Sequence, residues 1–276
     1  MPVYRDHADI HFADTGAGEP LVLSHGFLMD GTMFDRTRDD LVASGFRVIT
    51  IDARGFGQTE TDPTRRFSYW DLADDIAAVL DRLALPGPVV LGGMSQGGYT
   101  TLRFALRYPH RTRAVILAST TARANTSEEA DQYRAMAATW TDPAIPLEPQ
   151  ARALAPILLG GTDDDREPWI RRWLDHPDRT RTAAAWHTLA TRDELTPRIK
   201  EIPCPALILR GHADLSGGTA EDASTLAEHL PGAAGTSTVI AGPTAGHGVW
   251  WTHPHPVTHT LLSFLHNLDR SGAPTR

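Results

Sequence analysis

The most constraining feature of the chain is the pentapeptide Gly-Met-Ser-Gln-Gly at residues 93–97, because it stands between a predicted strand and a predicted helix. An apolar run at residues 89–91 precedes it, and apolar side chains follow it at helical spacing from Leu102 onward. In that setting a Gly-x-Ser-x-Gly turn holds its serine in a strained backbone conformation and lifts the hydroxyl clear of the sheet. The flanking residues must be small because the strand and helix backbones nearly collide there. The pattern therefore predicts a strand–turn–helix unit that presents Ser95 as a nucleophile.

Apolar runs alternate with amphipathic helical segments along much of the chain. Strands are predicted at residues 21–23, 46–51, 89–91, 114–118, 206–209 and 239–240. Continuous β-branched runs without polar alternation are typical of strands that are covered on both faces of a parallel sheet. Between them, residues 69–83 place apolar side chains on one helical face, with Ser68 as N-cap and Asp71 three residues on. This alternation indicates an open α/β sheet, and residues 4–14 are expected to form an antiparallel hairpin at its edge.

One region interrupts the alternation, since no strand is predicted between residues 121 and 197. Helical stretches are expected there at residues 128–139, 169–174 and 183–189. The region also holds four of the seven tryptophans, which are Trp140, Trp169, Trp173 and Trp186. We therefore expect residues 121–197 to form a helical cap, inserted into a core domain of residues 1–120 and 198–276, with most of these tryptophans packed between cap and sheet. The three aspartates at residues 163–165 are expected to lie in a solvated loop.

Composition narrows the possible function classes. The formal net charge of −8 leaves no basic stripe to meet phosphates, which argues against nucleic-acid binding. No apolar run has transmembrane length, and the N-terminus lacks the basic start and apolar stretch of a secretion signal, so a cytoplasmic protein with no membrane partner is expected. The single cysteine, Cys204, excludes an intrachain disulfide and a cysteine metal cluster. No ligand spacing supports a metal at the aspartate run either.

A serine hydroxyl is a weak nucleophile at neutral pH, so it needs a base in hydrogen-bond reach and a third group that orients the base. Asp214 is the acid candidate because it follows the predicted strand 206–209 in the sequence Gly-His-Ala-Asp, which puts its carboxylate at the carboxyl edge of the sheet. The alternative role for Asp214 is to cap the following helix. Glu221 and Asp222 are its rivals, but they fall inside that helix.

His247 is the base candidate. It lies between two glycines on the loop that follows the last predicted strand and precedes the final helix. The chain contains thirteen histidines, and the nearest rivals of His247 are His212, His253 and His255. His25 stands in a His-Gly turn, where we expect it to shape the loop rather than to act in catalysis.

An oxyanion hole is the remaining requirement, since two preorganised backbone N–H groups stabilise the charge that develops on the substrate oxygen. The N–H of Gln96, the residue after the serine at the helix N-terminus, is one candidate donor, and the N–H of Phe27 after the His-Gly turn is the other. The pocket is expected to be mostly apolar. The candidates for its lining are Met29, Met94, Trp140 and Trp250.

As a set, these motifs resemble those of the α/β-hydrolase superfamily, in its capped esterase, haloperoxidase and enol-lactonase-like branch. The matching stretches are residues 25–27, 52–59, 93–98, 211–214 and 246–247, with Pro254 behind the last. The resemblance covers about residues 21–265, nearly the whole chain. It implies a mostly parallel eight-stranded sheet with helices on both faces and a helical cap after the sixth strand. It also implies a catalytic triad of Ser95, Asp214 and His247 and no cofactor.

The reaction expected from this resemblance is hydrolysis of a small-molecule carboxylic ester or lactone, with a small to medium apolar acyl group, through an acyl-enzyme. Carbon–carbon bond hydrolysis and perhydrolysis on the same triad stay open as alternatives, as does a ligand receptor of the same fold. Thr252 stands where the family often has a glutamate, and Gly217 and Gly218 stand where it often has a proline. These departures leave the substrate open, and the sequence leaves the oligomeric state open as well.

Overall fold

A seven-stranded sheet lies at the centre of the protein, in a computed structural model that describes residues 2–233 and 237–271. The strands are β1 (Val3–Arg5), β2 (Ala8–Ile10), β3 (Phe12–Thr15), β4 (Glu19–Ser24), β5 (Phe46–Ile51), β6 (Glu60–Thr61), β7 (Val89–Met94), β8 (Thr112–Ala118), β9 (Ala206–Gly211) and β10 (Ser237–Ile240). The helices are α1 (Asp35–Ala43), α2 (Tyr69–Arg82), α3 (Gln96–Arg107), α4 (Ser127–Thr141), α5 (Leu147–Leu159), α6 (Asp163–Asp175), α7 (Ala183–Ala190), α8 (Ala220–His229), α9 (Val249–Thr252) and α10 (Pro254–Ser271). Every strand predicted from an apolar run is present.

The main sheet has the strand order β10-β9-β8-β7-β4-β5-β3. All neighbours in it are parallel except β3, which pairs with β5 in antiparallel orientation. Strands β1 and β2 form the expected antiparallel hairpin, and β6 joins them in a smaller sheet. Only His11 separates β2 from β3. With β2 and β3 counted as one strand and the two-residue β6 left out, the expected eight strands are present.

Helices cover both faces of this sheet, which explains why its central strands are apolar throughout. Along β4, Leu21 and Leu23 belong to the same buried cluster as residues of α1 and α10. Val22, between them, belongs to a cluster with residues of α2 and α3. Successive strand residues point to opposite faces, so every position of such a strand meets an apolar layer and the polar alternation disappears.

Helix α2 begins where the sequence predicted, at a capping box. The Ser68 hydroxyl accepts a hydrogen bond from the Asp71 N–H, and the Asp71 carboxylate accepts one from the Ser68 N–H at 2.7 Å. Two backbone donors of the first turn are satisfied in this way. The interpretation of Ser68 as an N-cap is therefore confirmed.

Residues 121–197, named here the helical insertion, are all described and form four α-helices and no strand between β8 and β9. Its tryptophans are buried. One local expectation was wrong, and one helix was not expected. The aspartates at residues 163–165 form the first turn of α6, where acidic side chains are favourable at the positive end of the helix. Helix α5, which contains prolines at positions 149 and 156, was not expected.

Candidate active site

The predicted catalytic residues all follow strands that end at one edge of the sheet. Ser95 comes directly after β7, Asp214 follows β9, and His247 lies on the loop after β10. Strand β8 lies between β7 and β9, and two hydrogen bonds join the serine to the end of β8 and the residues after it. The Ser95 N–H donates to the Ala118 carbonyl at 2.9 Å, and the Thr120 hydroxyl donates to the Ser95 carbonyl at 2.8 Å. Parallel order therefore gathers the three residues at the carboxyl edge.

The turn at Ser95 has the strained geometry that the sequence predicted. Ser95 has φ 54° and ψ −116°, in the region of backbone space that non-glycine residues rarely adopt. A β-carbon on Gly93 would stand 2.1 Å from the Gly97 backbone, and one on Gly97 would stand 1.9 Å from the Ser24 carbonyl oxygen. Neither distance is possible between non-bonded atoms, so only glycine allows this strand and helix to approach so closely.

Asp214 and His247 form a buried pair. Nδ1 of His247 donates to Asp214, at 3.1 Å from Oδ1 and 3.2 Å from Oδ2, and both residues are less than 5% exposed. Burial alone would raise the pKa of Asp214, but the charge of His247 and its hydrogen bond bring that pKa below its ordinary value. The carboxylate is therefore ionised at neutral pH and holds the imidazole with Nδ1 protonated. That tautomer leaves Nε2 as a lone-pair acceptor.

The rivals of these residues lie elsewhere. Glu221 is exposed on α8, and Asp222 caps that helix through Thr219. His25 shapes its loop, since Nδ1 donates to the neighbouring Gly26 carbonyl at 2.8 Å and Nε2 accepts from the Ala53 N–H at 2.9 Å. This matches the structural role expected for His25.

Ser95 is 7% exposed, and its hydroxyl makes no hydrogen bond with any described residue. The backbone N–H groups of Phe27 and Gln96 likewise donate to no described residue. Gln96 is the first residue of α3, where an N–H has no partner within the helix. Phe27 lies in the turn closed by the Met29 N–H, which donates to Gly26 at 3.2 Å. Two amide donors thus remain available near the turn at residues 93–97, which is called the elbow from here on.

A cavity of about 590 Å³ lies between the β3–β5 edge of the core and the helical insertion. Met29 and Trp140, two of the expected pocket residues, line it. Its lining combines apolar side chains with charged ones, among them Asp30, Arg38, Asp52, Arg172 and Arg181. None of the three predicted catalytic residues lines it. We therefore place the candidate active site by the elbow and the Asp–His pair, not by this cavity.

Met94 and Trp250 do not line that cavity, because both are fully buried in the core. Trp250 packs its ring edge-on against Phe34, with centroids 5.0 Å apart, and its Nε1 donates to the Thr37 hydroxyl at 3.1 Å. Met94 packs so closely on Gly26 that a β-carbon there would stand 2.5 Å from its sulfur atom. Each side chain points into the packed layers that support the elbow.

Sequence reasoning missed two residues beside the site, Tyr99 and Arg192. A β-carbon on Gly217 would stand 2.9 Å from the Tyr99 hydroxyl oxygen and 3.8 Å from Cε1 of His247, so both side chains border the same point. Tyr99 lies four residues after Ser95 on α3, one helical turn along, and that spacing could have identified it. No local signal could have identified Arg192.

Among the described residues, no group of three or more histidine, cysteine or acidic side chains is arranged to hold a metal ion.

Three comparisons with known proteins agree with this architecture. A family model described as the alpha/beta hydrolase fold matches residues 19–167. The AB hydrolase superfamily protein YisY of Bacillus subtilis is 28% identical over 266 residues, which cover 94% of this chain and 96% of that protein. A thermophilic esterase from Thermogutta terrifontis, solved with malate bound, has a TM-score of 0.83 at 30% identity over 95% of this chain and 94% of its own. The enol-lactonase of Burkholderia xenovorans shares the fold, with a TM-score of 0.78 at 24% identity over 94% of this chain and 97% of its own.

No helix in residues 2–233 or 237–271 is long and apolar enough to cross a bilayer.

Proposed function

Because the chain belongs to the α/β-hydrolase family, we propose that it is a serine hydrolase that cleaves a carboxylic ester or lactone through an acyl-enzyme. The observation that carries the proposal is the buried Asp214–His247 pair at the same sheet edge as the strained turn of Ser95. A nucleophile, a base and an acid that orients the base require this set of side chains.

In the proposed reaction Nε2 of His247 accepts the Ser95 proton while Oγ attacks the substrate carbonyl carbon. The imidazolium that forms is stabilised by Asp214 through Nδ1. The carbonyl oxygen becomes an oxyanion, which accepts hydrogen bonds from the N–H groups of Phe27 and Gln96. His247 then returns the proton to the leaving alkoxide, and the ester bond breaks. Water repeats the sequence on the acyl-enzyme and releases the carboxylic acid.

Two features of the free protein suit this scheme. The candidate oxyanion donors already point to no other acceptor, so no hydrogen bond has to be broken when the intermediate forms. The Ser95 hydroxyl makes no hydrogen bond with a described residue, and such contacts in free enzymes often tighten only with substrate bound. We expect the Ser95 Oγ to His247 Nε2 contact to close in that complex.

The helical insertion is proposed to act as a cap over this site. Trp173 Nε1 donates to the Leu28 carbonyl at 2.6 Å, and the Trp186 ring packs against Phe27 with centroids 4.5 Å apart. The insertion thus contacts Phe27 and Leu28, the two residues that follow Gly26. A cap at this place would exclude water while the intermediate forms, which strengthens hydrogen bonds to the oxyanion.

Ester turnover tests the proposal directly. We expect the wild type to hydrolyse 4-nitrophenyl acetate or butyrate, and Ser95→Ala to lose at least about 1,000-fold in kcat, since removal of a triad nucleophile has effects of that size or larger. Ser224→Ala, at an exposed position on α8, is the matched control and should keep wild-type turnover. Equal rates for wild type and Ser95→Ala would exclude the mechanism. Adding peroxide, or offering dienoic ketones, separates perhydrolysis and carbon–carbon cleavage from ester hydrolysis.

A further inference from the structure

Three arginines are buried in the described part of the chain, and one of them differs from the other two. Arg54 forms a two-pronged ion pair with Asp75, through Nε at 2.7 Å and Nη2 at 2.8 Å. Arg103 donates from Nε to Asp193 at 3.1 Å. Arg192 is 7% exposed and makes no ion pair with any described residue. Buried charges in proteins are normally paired. The Arg192 guanidinium lacks the carboxylate partner that the other two have.

The groups that do contact Arg192 are neutral. Its Nε donates to the Arg123 carbonyl at 3.0 Å, and its Nη1 donates to the Tyr99 hydroxyl at 3.2 Å. The guanidinium also lies over the Tyr99 ring, 4.6 Å from the centroid. Burial raises the pKa of the neighbouring Tyr133 to about 12, so that phenol carries no charge at neutral pH.

The acid that senses the charge of Arg192 already has another hydrogen-bond partner. Glu129 senses the charge of Arg192, but both of its carboxylate oxygens accept hydrogen bonds from Arg123, at 2.7 Å each. Arg192 has five N–H donors in a planar fork, of which these contacts use only some. The remaining donors, and a positive charge that no described carboxylate hydrogen-bonds, suit an anion from outside the chain.

Arg192 also lies beside the candidate active site. The Tyr99 hydroxyl that it contacts borders the same point near Gly217 as Cε1 of His247. Apart from the neighbouring loop residues, those two atoms are the only ones within 4 Å of that point, so the Tyr99 hydroxyl and the His247 ring share one border of the site. The Tyr69 hydroxyl, on the ring that packs edge-on against Tyr99, is buried without a hydrogen-bond partner in the described chain. One buried hydroxyl without a partner thus lies on the Arg192 side of the site.

We propose that Arg192 binds a carboxylate of the substrate, so that the substrate is an ester or lactone carrying a second, free carboxylate, as in a monoester of a dicarboxylic acid. The inference rests on the proposed hydrolase function and replaces the expectation of a wholly apolar acyl group. A guanidinium fork matches the two oxygens of a carboxylate. The Tyr99 hydroxyl accepts from Arg192 and can donate its own hydrogen to the same carboxylate.

Substrate pairs that differ only in charge test this inference on the wild type. Mono-4-nitrophenyl esters of succinate, glutarate and adipate are compared with the same esters whose far end is an amide. A charged hydrogen-bonded contact predicts a kcat/KM about 10- to 100-fold higher for at least one carboxylate than for its amide. Arg192→Met should bring that ratio close to one, whereas a purely structural role would lower both rates alike. Arg134→Met, an exposed arginine on α4, is the control and should keep the wild-type ratio. A ratio near one for all three pairs in the wild type overturns the inference.

Binding to the inactive protein separates this inference from the proposed function. Succinate, glutarate and adipate are titrated into Ser95→Ala and into Ser95→Ala/Arg192→Met, with the monoamides as neutral ligands. We expect at least one dicarboxylate to bind the first variant about 10-fold or more tightly than the second. If the dicarboxylates bind in this way but no ester is hydrolysed, the anion site stands and the hydrolase proposal fails. If esters are hydrolysed but no dicarboxylate binds better than its amide, the hydrolase stands and the anion site fails. Should the double variant not fold, the wild-type ratio and binding to Ser95→Ala decide alone.

Discussion

Arg54 and Asp75 form an ion pair in which both side chains are buried. Arg54 belongs to the Asp-Ala-Arg-Gly-Phe-Gly-Gln-Thr stretch after β5, and Asp75 lies in the middle of α2. Arg54 also donates to the carbonyls of Arg5 and Asp6 in the N-terminal hairpin. This pair therefore joins the loop after β5 to α2 and to the hairpin, which explains a motif that takes no part in the proposed chemistry.

Asp75→Asn is expected to lower the free energy of unfolding by about 3–5 kcal/mol, because it leaves the buried Arg54 charge without its partner. Asp81→Asn on the same helix is the control. Asp81 is 70% exposed and pairs with Arg111 at the surface, so its loss should change stability by less than about 1 kcal/mol. Urea unfolding of both variants measures the difference, and equal midpoints would contradict the structural role given to Asp75.

Gly97→Ala is expected to destabilise the protein by more than about 2 kcal/mol and to abolish the geometry of the elbow, since the new β-carbon would overlap the Ser24 carbonyl. Gly87→Ala is the matched control, because no atom lies within 4 Å of its β-carbon position. That change should be neutral or stabilise slightly by reducing the freedom of the unfolded chain. Thermal unfolding of the two variants provides the test, and a well-folded, active Gly97→Ala would show that the close approach is not required.

Asp214→Asn is expected to lower kcat for an aryl ester by about 10,000-fold, because an asparagine no longer selects the tautomer with Nδ1 protonated. KM should change much less, since Asp214 does not face the substrate. Glu221→Gln, at the exposed rival carboxylate on α8, should keep full activity. The reverse result, with Glu221 essential and Asp214 dispensable, would move the acid of the triad to α8.

Glu129 gives a test of pH dependence. Two hydrogen bonds from Arg123 lower the pKa of Glu129 to about 2 from 4.5. Because the folded-state pKa is the lower one, this contribution to stability is fully present above about pH 5 and is lost as the pH falls toward about 2. The side chain is one-third exposed, so we expect solvent screening to limit the contribution to about 1 kcal/mol.

The experiment compares the free energy of unfolding of wild type and Glu129→Gln at pH 7, 5 and 3. The stability difference between them should be constant from pH 7 to 5 and shrink toward pH 3. A difference that grows as the pH falls would mean that the pKa of Glu129 is raised in the folded protein.

Local patterns predicted the elements well where one physical rule acted alone. The capping box of α2 was readable because Ser68 and Asp71 are three residues apart and both of their bonds are local. Helix α5 was not readable, because its prolines argue against a helix although Pro149 lies in the first turn, where no N–H is needed, and Pro156 lies near the end. The acidic run at residues 163–165, expected to be a loop, begins α6, and Thr162 is the N-cap of that helix.

The sequence by itself determined the alternation of strands and helices in the core, the glycines of the elbow and the three residues proposed as the triad, because these depend on spacing along the chain and on where each strand ends. The tertiary structure alone decided which distant side chains meet. It placed Met94 and Trp250 in the packed core, paired Arg54 with Asp75, and left Arg192 against Tyr99 with no carboxylate. The reason is that burial and charge pairing arise between segments far apart in the chain, so no local pattern can record whether a buried arginine finds its partner within the protein.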